Sequence, residues 1–266
     1  MSMKENKLRN ILNNGETSVA TRIWSTWPVV TESAAATGAF DYIEFVAEYA
    51  PFDMLALENM VRACELNNIS SMIKVDFQNR FYVAQRAMAA GFQAILFTDH
   101  KTAKEVEESL YVVKPDSPDY GGRFGFPNNR WLGFQPYKTQ TEYAKMVNNT
   151  VKAFMVEKAE TLANLDEICS IPGVDMVQFG PSDYCMSLGW DSKDHKSDIR
   201  KAEEKMIQIA QDHGVAVRCE LDTMEQAEYY KSLGVKHFCV GDEFRNLNAY
   251  WNSTCKDIRN LAATIK

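Results

Sequence analysis

Apolar positions along the chain alternate between two periods. Short runs rich in β-branched and aromatic residues read as strands: "SVATRIWS", "YIEFVAE", "SSMIKVD", "QAILFTD", "VKAFMVEK", "VDMVQFG", "VAVRCEL" and "KHFCVGDEF". Between them lie stretches with helical spacing, among them "FDMLALENMVRACELNN", "RFYVAQRAMAAG", "TAKEVEESLYVV", "ETLANLDEICSI", "SDIRKAEEKMIQIAQDHG" and "TMEQAEYYKSLG". An amphipathic helix from Lys7 to Leu12, ending at "NNG", precedes the first strand. Many helical stretches stop at Gly or Asn, as helix C-caps do. Eight strands alternating with helices over roughly 250 residues predict a (β/α)8 TIM barrel spanning 1–266 as one domain. A doubly wound sheet would share the alternation, but no G-x-G-x-x-G turn follows the first strand.

Active sites of such barrels form at the C-terminal ends of the strands. That rule selects Trp24, Ser25, Glu48, Tyr49, Lys74, Asp76, Asp99, His100, Glu157, Lys158, Asp183, Arg218, Glu220, Asp242 and Glu243. So many ionisable groups at one rim require mutual ion pairs or a bound cation. In "IEFVAEYAPFD", residues 43–53, the apolar run gives out at Glu48 and Tyr49 and Pro51 prevents the strand from continuing. Glu157 and Asp183 close two successive apolar strands. They could share a hard divalent cation such as Mg²⁺ or Mn²⁺. Equally, Asp183 could cap the following helix while Glu157 pairs with a lysine; spacing alone leaves both open.

With 45% hydrophobic and 24% charged residues, the 266-residue chain has the composition of a soluble globular protein. A net charge of −7 without a basic patch argues against nucleic acid or an anionic membrane as partner. The six cysteines are scattered, with no CxxC pair or zinc-like cluster, and read as reduced thiols. "MSMKENKLRNILNNG" lacks the apolar run of a signal peptide, and no stretch reaches the ~20 apolar residues of a membrane span. A cytoplasmic protein is expected. The one long interruption, "KPDSPDYGGRFGFPNNRWLGFQPYKTQ", is rich in Gly, Pro and aromatic residues, and its length suggests an ordered functional loop.

Four segments between about residue 7 and residue 250 resemble the HpcH/HpaI aldolase family of metal-dependent class II pyruvate aldolases, in the phosphoenolpyruvate/pyruvate barrel superfamily. "FGPSDYCMSLG" resembles its G-P-A-D-L-S segment, and "MVEKAETLANLDEICSIPGVD" its Q-I-E-T…N-L…I…G-V-D segment. "TGAFDYIEFVAEYAPFD" is similar to G-F-D-W…D-x-E-H-x-P, and "YVVKPDSPDYGGRFGF" to the Y-P-P-x-G-x-R-G loop. The resemblance implies that Glu157 and Asp183 bind a divalent metal, Mg²⁺ or Mn²⁺, which chelates pyruvate and holds its enolate. It places Gly180, Pro181 and Ser182 beside the substrate, with Trp24 at the mouth and the Arg123 loop over the site. It also implies a homo-oligomer, hexamer or trimer, in which the last helix, about residues 243–264, is exchanged between neighbours.

The departures are equally informative. The family's D-x-E-H reads Val46, Ala47, Glu48, Tyr49, so the catalytic His is a tyrosine and its Asp partner a valine. The strand-three arginine is Lys74, a further aspartate is Ala89, and the glutamine before the metal glutamate is Met155. Thr98, Asp99 and His100 stand where the family has P-x-V. Lys74 is therefore expected to stabilise the enolate as a point charge, with Tyr49 or His100 moving the proton. Tyr49 would need a phenol pKa lowered by the metal or Lys74; otherwise it packs across the mouth. His100 could equally cap the helix that starts at Thr102. Arg218 either holds a second acidic group of the substrate or pairs with Glu220. Phe124, Phe126, Trp131 and Phe134 suggest either a cover for a bulky substrate or an oligomer contact. The expected activity is metal-dependent carbon–carbon lysis or condensation on a 2-oxo acid, possible with an aldehyde partner. The alternatives are decarboxylation, a phosphoenolpyruvate or phosphonate substrate, and a catalytically silent binding protein.

Overall fold

The computed structural model describes residues 5–135 and 139–265. Eight strands form a closed parallel barrel in sequence order: β1 Ser18–Ile23, β2 Tyr42–Val46, β3 Ser70–Val75, β4 Ala94–Phe97, β5 Val151–Val156, β6 Met176–Phe179, β7 Ala216–Leu221 and β8 His237–Asp242. The seam joins β8 to β1, with Ser18 opposite His237, and its register shifts between Ala20 and Arg22. The first helices are α1 Lys7–Asn14, α2 Pro28–Ala36, α3 Met54–Leu66, α4 Arg80–Ala90, α5 Ala103–Val113 and α6 Gln140–Asn148. Then come α7 Ala159–Ala163, α8 Leu165–Cys169, α9 Pro181–Ser187, α10 Lys196–Asp212 and α11 Met224–Ser232. The chain ends with α12 Glu243–Tyr250, a π-helical turn Trp251–Cys255, and α13 Lys256–Ala262. The expected TIM barrel is the architecture observed.

Local chemistry explains several boundaries. Asn6 caps α1 by accepting from the Arg9 amide, and Gly15 closes the helix with φ of +66°. Thr102 with Glu105 and Thr223 with Gln226 form capping boxes that start α5 and α11. The main core lies between strands and helices. A second, inside the barrel, contains Ala20, Tyr42, Met72, Leu96, Ala153, Met155 and Met176, and Leu8 of α1 plugs it from the N-terminal end. Arg9 secures that plug with a 2.6 Å bond to Asp175.

Above these apolar residues the interior turns polar. Arg218 on β7 is fully buried and bonds to Glu44 on β2 and Gln178 on β6. Gln178 donates to Glu220 at 2.7 Å, and Glu220 accepts from Arg22 at 2.6 Å. This corrects both expectations for Arg218. It lies one inward-facing position below the rim, and Glu220 pairs with Arg22 instead.

The long interruption is likewise placed differently from the substrate cover expected. The Trp131 indole donates to the Met88 carbonyl at 2.5 Å, and Arg130 binds Glu65 at 2.7 Å. Both partners lie near the C-terminal ends of α4 and α3, at the barrel's N-terminal end. Arg123 is exposed beside Phe81, Tyr82 and Tyr111, outside the strand-end cavity. The amides of Gly121, Gly122 and Arg123 donate to Ser117, Pro115 and Tyr111 carbonyls, so this turn offers no anion nest. A Cβ on Gly122 would fall 2.1 Å from the Lys114 carbonyl oxygen, which accounts for the glycine.

Arg218→Ala strips Glu44 of its buried partner and should cost about 3–5 kcal/mol. Replacing both, Glu44→Leu with Arg218→Met, should cost much less. Urea unfolding of the three chains measures the difference; equal losses would contradict a buried charge pair as the cause.

Candidate active site

The strand C-termini surround a cavity of about 490 Å³. Trp24, Tyr49, Lys74, Glu157, Gly180, Pro181, Ser182 and Asp183 all line it, brought together from β1, β2, β3, β5 and β6. Strand pleating explains the set, since alternate residues point inward.

Glu157 follows the fully buried β5 and is itself only 1% exposed. Its Oε1 accepts the Asp99 amide at 2.8 Å. That amide is aimed by a left-handed backbone, φ +61°, uncommon for a residue other than glycine. Gly180 is required beside it: a Cβ there would meet the Glu157 Cβ at 2.7 Å and Oε2 at 2.9 Å. Burial pushes the Glu157 carboxyl up to about 7, against the pull of Lys74.

Lys74 Nζ pairs with Glu48 Oε2 at 2.5 Å, which accounts for the acid where the apolar run of β2 ends. Burial pulls the Lys74 pKa down, but Glu157 and Glu48 outweigh it and hold the ammonium above its usual range. Lys74 therefore stays charged and cannot serve as a base. Its Nζ also sits 5.4 Å from the centre of the Tyr49 ring, which stacks on Trp24 with centroids 5.8 Å apart. Trp24 is held in turn by Glu243, whose Oε1 accepts the Trp24 and Ser25 amides at 2.6 and 2.7 Å. Burial raises the Tyr49 phenol despite Lys74, so Lys74 alone does not lower it and the phenol is neutral near pH 7.

His100 is elsewhere. It is fully buried behind β4, ringed edge-on by Phe77, Phe97 and Phe154, with Nε2 2.7 Å from the Ser109 hydroxyl. Burial, with Arg80 nearby, lowers it to about 4 and keeps it neutral. It neither reaches the cavity nor caps α5; it fills the strand–helix interface.

For a cation, oxygen donors of Glu48, Asp99 and Glu157 lie within 4.8 Å of one another. Asp183 stands outside this trio, 3.7 Å from Lys158 Nζ, which binds Asp99 at 2.6 Å. Four carboxylates against the ammonium groups of Lys74 and Lys158 leave two formal negative charges, the complement of one divalent ion. All-oxygen donors suit Mg²⁺ or Mn²⁺. The residues fit such an ion.

Sequence reasoning missed Arg22, which lines the cavity and pairs with Glu220. The available signal was parity: Arg22 shares a strand face with Trp24. Asp222 and Arg245, paired at 3.1 Å, were also missed.

Fold and site together define a (β/α)8 barrel enzyme with an acidic centre at its strand ends. The model of the HpcH/HpaI aldolase/citrate lyase family matches residues 26–239, and the chain belongs to that family. It is 27% identical over 216 residues to a hydroxypyruvate/pyruvate aldolase of Roseobacter denitrificans, covering 79% of this chain and 80% of the relative. It is 25% identical over 240 residues to a 5-keto-4-deoxy-D-glucarate aldolase of Shigella boydii serotype 18, covering 90% and 88%. In structure it is similar to an HpcH/HpaI aldolase from Desulfitobacterium hafniense, with TM-score 0.86, 20% identity, and 96% and 97% of the two chains covered. Citrate synthase SbnG gives TM-score 0.84 at 19% identity, with 97% and 99% covered. Among the described residues no helix is long and apolar enough to cross a membrane.

Because the Glu157 carboxyl keeps its proton up to about 7, Mn²⁺ uptake must displace that proton in acid. Affinity should fall as pH drops from about 7.5 to about 5.5, approaching tenfold per unit. Titration calorimetry across that range checks this, and a flat profile would contradict it.

Proposed function

We propose that this chain is a divalent-cation-dependent carbon–carbon lyase acting on a 2-oxo acid through a pyruvate enolate, run as cleavage or condensation. The observation that carries the reading is the convergence of Glu157, Asp183 and Lys74 on one cavity at the barrel mouth. Glu157 and Asp183 would hold the ion, with Glu48 and Asp99 beside Glu157 as further donors. Mg²⁺ or Mn²⁺ would supply Lewis acidity toward a keto oxygen.

The protein's own groups account for the remaining steps. Lys74, charged and fixed by Glu48, stabilises negative charge developing on the enolate oxygen as the bond to C3 breaks. Tyr49, neutral and over the cavity, is placed to donate a hydrogen bond or pass a proton to C3 through water. The Trp24–Tyr49 stack covers part of the opening and limits solvent around the carbanion. A phosphate-bearing substrate lacks support, since the Gly121–Arg123 amides are committed to carbonyls of this chain.

Exchange of the C3 protons of pyruvate in D₂O with added Mg²⁺ or Mn²⁺ tests the proposal. Exchange should vanish with EDTA and in Glu157→Ala, and slow by about 10²–10³ in Lys74→Met. Absence of exchange in a chain that binds the ion would point to a silent binding protein.

The C-terminal helix bears on assembly. Residues 243–262 bury no side chain, and Phe244, Leu247, Tyr250, Trp251, Ile258 and Leu261 all stand exposed. An apolar stripe of this length needs a partner. We propose that it packs on neighbouring copies in a trimer or hexamer. Light scattering should give an oligomer for the full chain and a monomer after removal of residues 251–266. A monomeric full chain would refute the packing.

A further inference from the structure

We infer that the Lys158 ammonium is a built-in competitor of the divalent ion, and that its charge keeps the loaded site open to an anionic substrate. The inference rests on the lyase reading above. Lys158 follows Glu157 directly in the chain, and its Nζ lies 2.6 Å from Asp99 Oδ1 and 3.7 Å from Asp183 Oδ1. Asp99 follows β4 and Asp183 lies just beyond β6, the two strands that flank β5. The ammonium therefore spans the acids on either side of Glu157. With its side chain 16% exposed, it is mostly withdrawn from water, where a charge acts more strongly on its neighbours.

Asp99 is one of the three acids whose oxygens lie within 4.8 Å of one another. An ion drawn to that trio meets Lys74 on Glu48 and Lys158 on Asp99, and both ammonium groups repel it. Lys74 lines the cavity and can face a substrate, whereas Lys158 is not part of the lining, so its charge acts on the ion and its acids. The four acids Glu48, Asp99, Glu157 and Asp183 against these two lysines carry two net negative charges, which one divalent ion neutralises. Without the Lys158 charge the loaded site would keep one negative charge, and that charge would repel the carboxylate of a 2-oxo acid. The ammonium weakens ion uptake and favours the substrate in return. Other bonds hold the local backbone. The Asp99 amide donates to Glu157 Oε1, the Thr161 hydroxyl donates to the His100 carbonyl, and the Lys158 side chain makes no cap bond to α7. A substitution at Lys158 therefore changes the charge and leaves the acids in place.

The test is titration calorimetry of the full chain with Mn²⁺, and then of the Mn²⁺-loaded chain with oxalate, which stands in for the pyruvate enolate. Lys158→Met should bind Mn²⁺ about tenfold more tightly and, once loaded, bind oxalate about tenfold more weakly. Asp99→Asn leaves the ammonium free to turn to Asp183 and should bind Mn²⁺ about tenfold more weakly. The double variant removes one charge of each sign and should return to within about threefold of the parent. Lys158→Arg keeps the charge and should also stay within about threefold of the parent. Should Lys158→Met fail to fold, Lys158→Gln makes the same charge change. Mn²⁺ affinity unchanged or weakened on loss of the Lys158 charge overturns the inference, as does oxalate bound equally or more tightly. Proton exchange at C3 of pyruvate, measured on the parent chain, reports separately on the lyase reading. Exchange by a parent whose Lys158→Met variant gains no affinity refutes the competitor and keeps the lyase; no ion bound by either chain refutes both.

Discussion

A carboxylate withdrawn from water must find a counter-charge or hold its proton, and the mouth of this barrel is arranged around that constraint. Glu48 at the end of β2 meets Lys74 of β3, and Asp99 after β4 meets Lys158 after β5. Deeper inside, Glu44 meets Arg218, and Gln178 and Glu220 carry the chain of contacts back up to Arg22 at the rim. Glu157 is arranged differently. Its nearest fixed donor is a neutral amide, that of Asp99, and burial pushes its pKa to about 7. A buried carboxylate that lacks a directly bonded ammonium and keeps its proton is one a metal would readily recruit.

How far this was legible in the sequence depends on which rule applied. Strand and helix periods differ so clearly that the barrel followed from alternation alone, and the strand-end rule then found Trp24, Tyr49, Lys74, Glu157 and Asp183. It failed where one step along the chain changes the surroundings completely. Arg218 faces inward like Glu220 but one layer lower, where it is sealed from the cavity. His100 lies beyond β4 and turns outward into the aromatic layer under α5. The helix α2, "PVVTESAAA", escaped notice because small residues give no apolar stripe, though Pro28 at its first position is a start signal.

The aromatic-rich segment after α5 shows a topological limit that the sequence did contain. In a (β/α)8 barrel each helix returns the chain to the N-terminal ends of the strands. A segment between a helix and the next strand therefore starts at the end opposite the site, whatever its composition. Trp131 and Arg130 packed beside the ends of α4 and α3 are that rule in side chains. Gly122 serves close packing against Lys114, so composition suggested a ligand loop where steric need was the cause at that position.

Asp99 stands where the resemblance leads one to expect an apolar segment, and Lys158 of the neighbouring strand end binds it at 2.6 Å. Lys74 and Lys158 thus offset part of the acidic charge gathered at the mouth and leave a net negative site.

Leu8, seated beneath the barrel and tied down by Arg9, makes the interior a vessel with a floor. Whatever enters between Trp24 and Asp183 must leave by the same door. A cavity closed below in this way fills and empties in order, its deepest occupant entering first and leaving last.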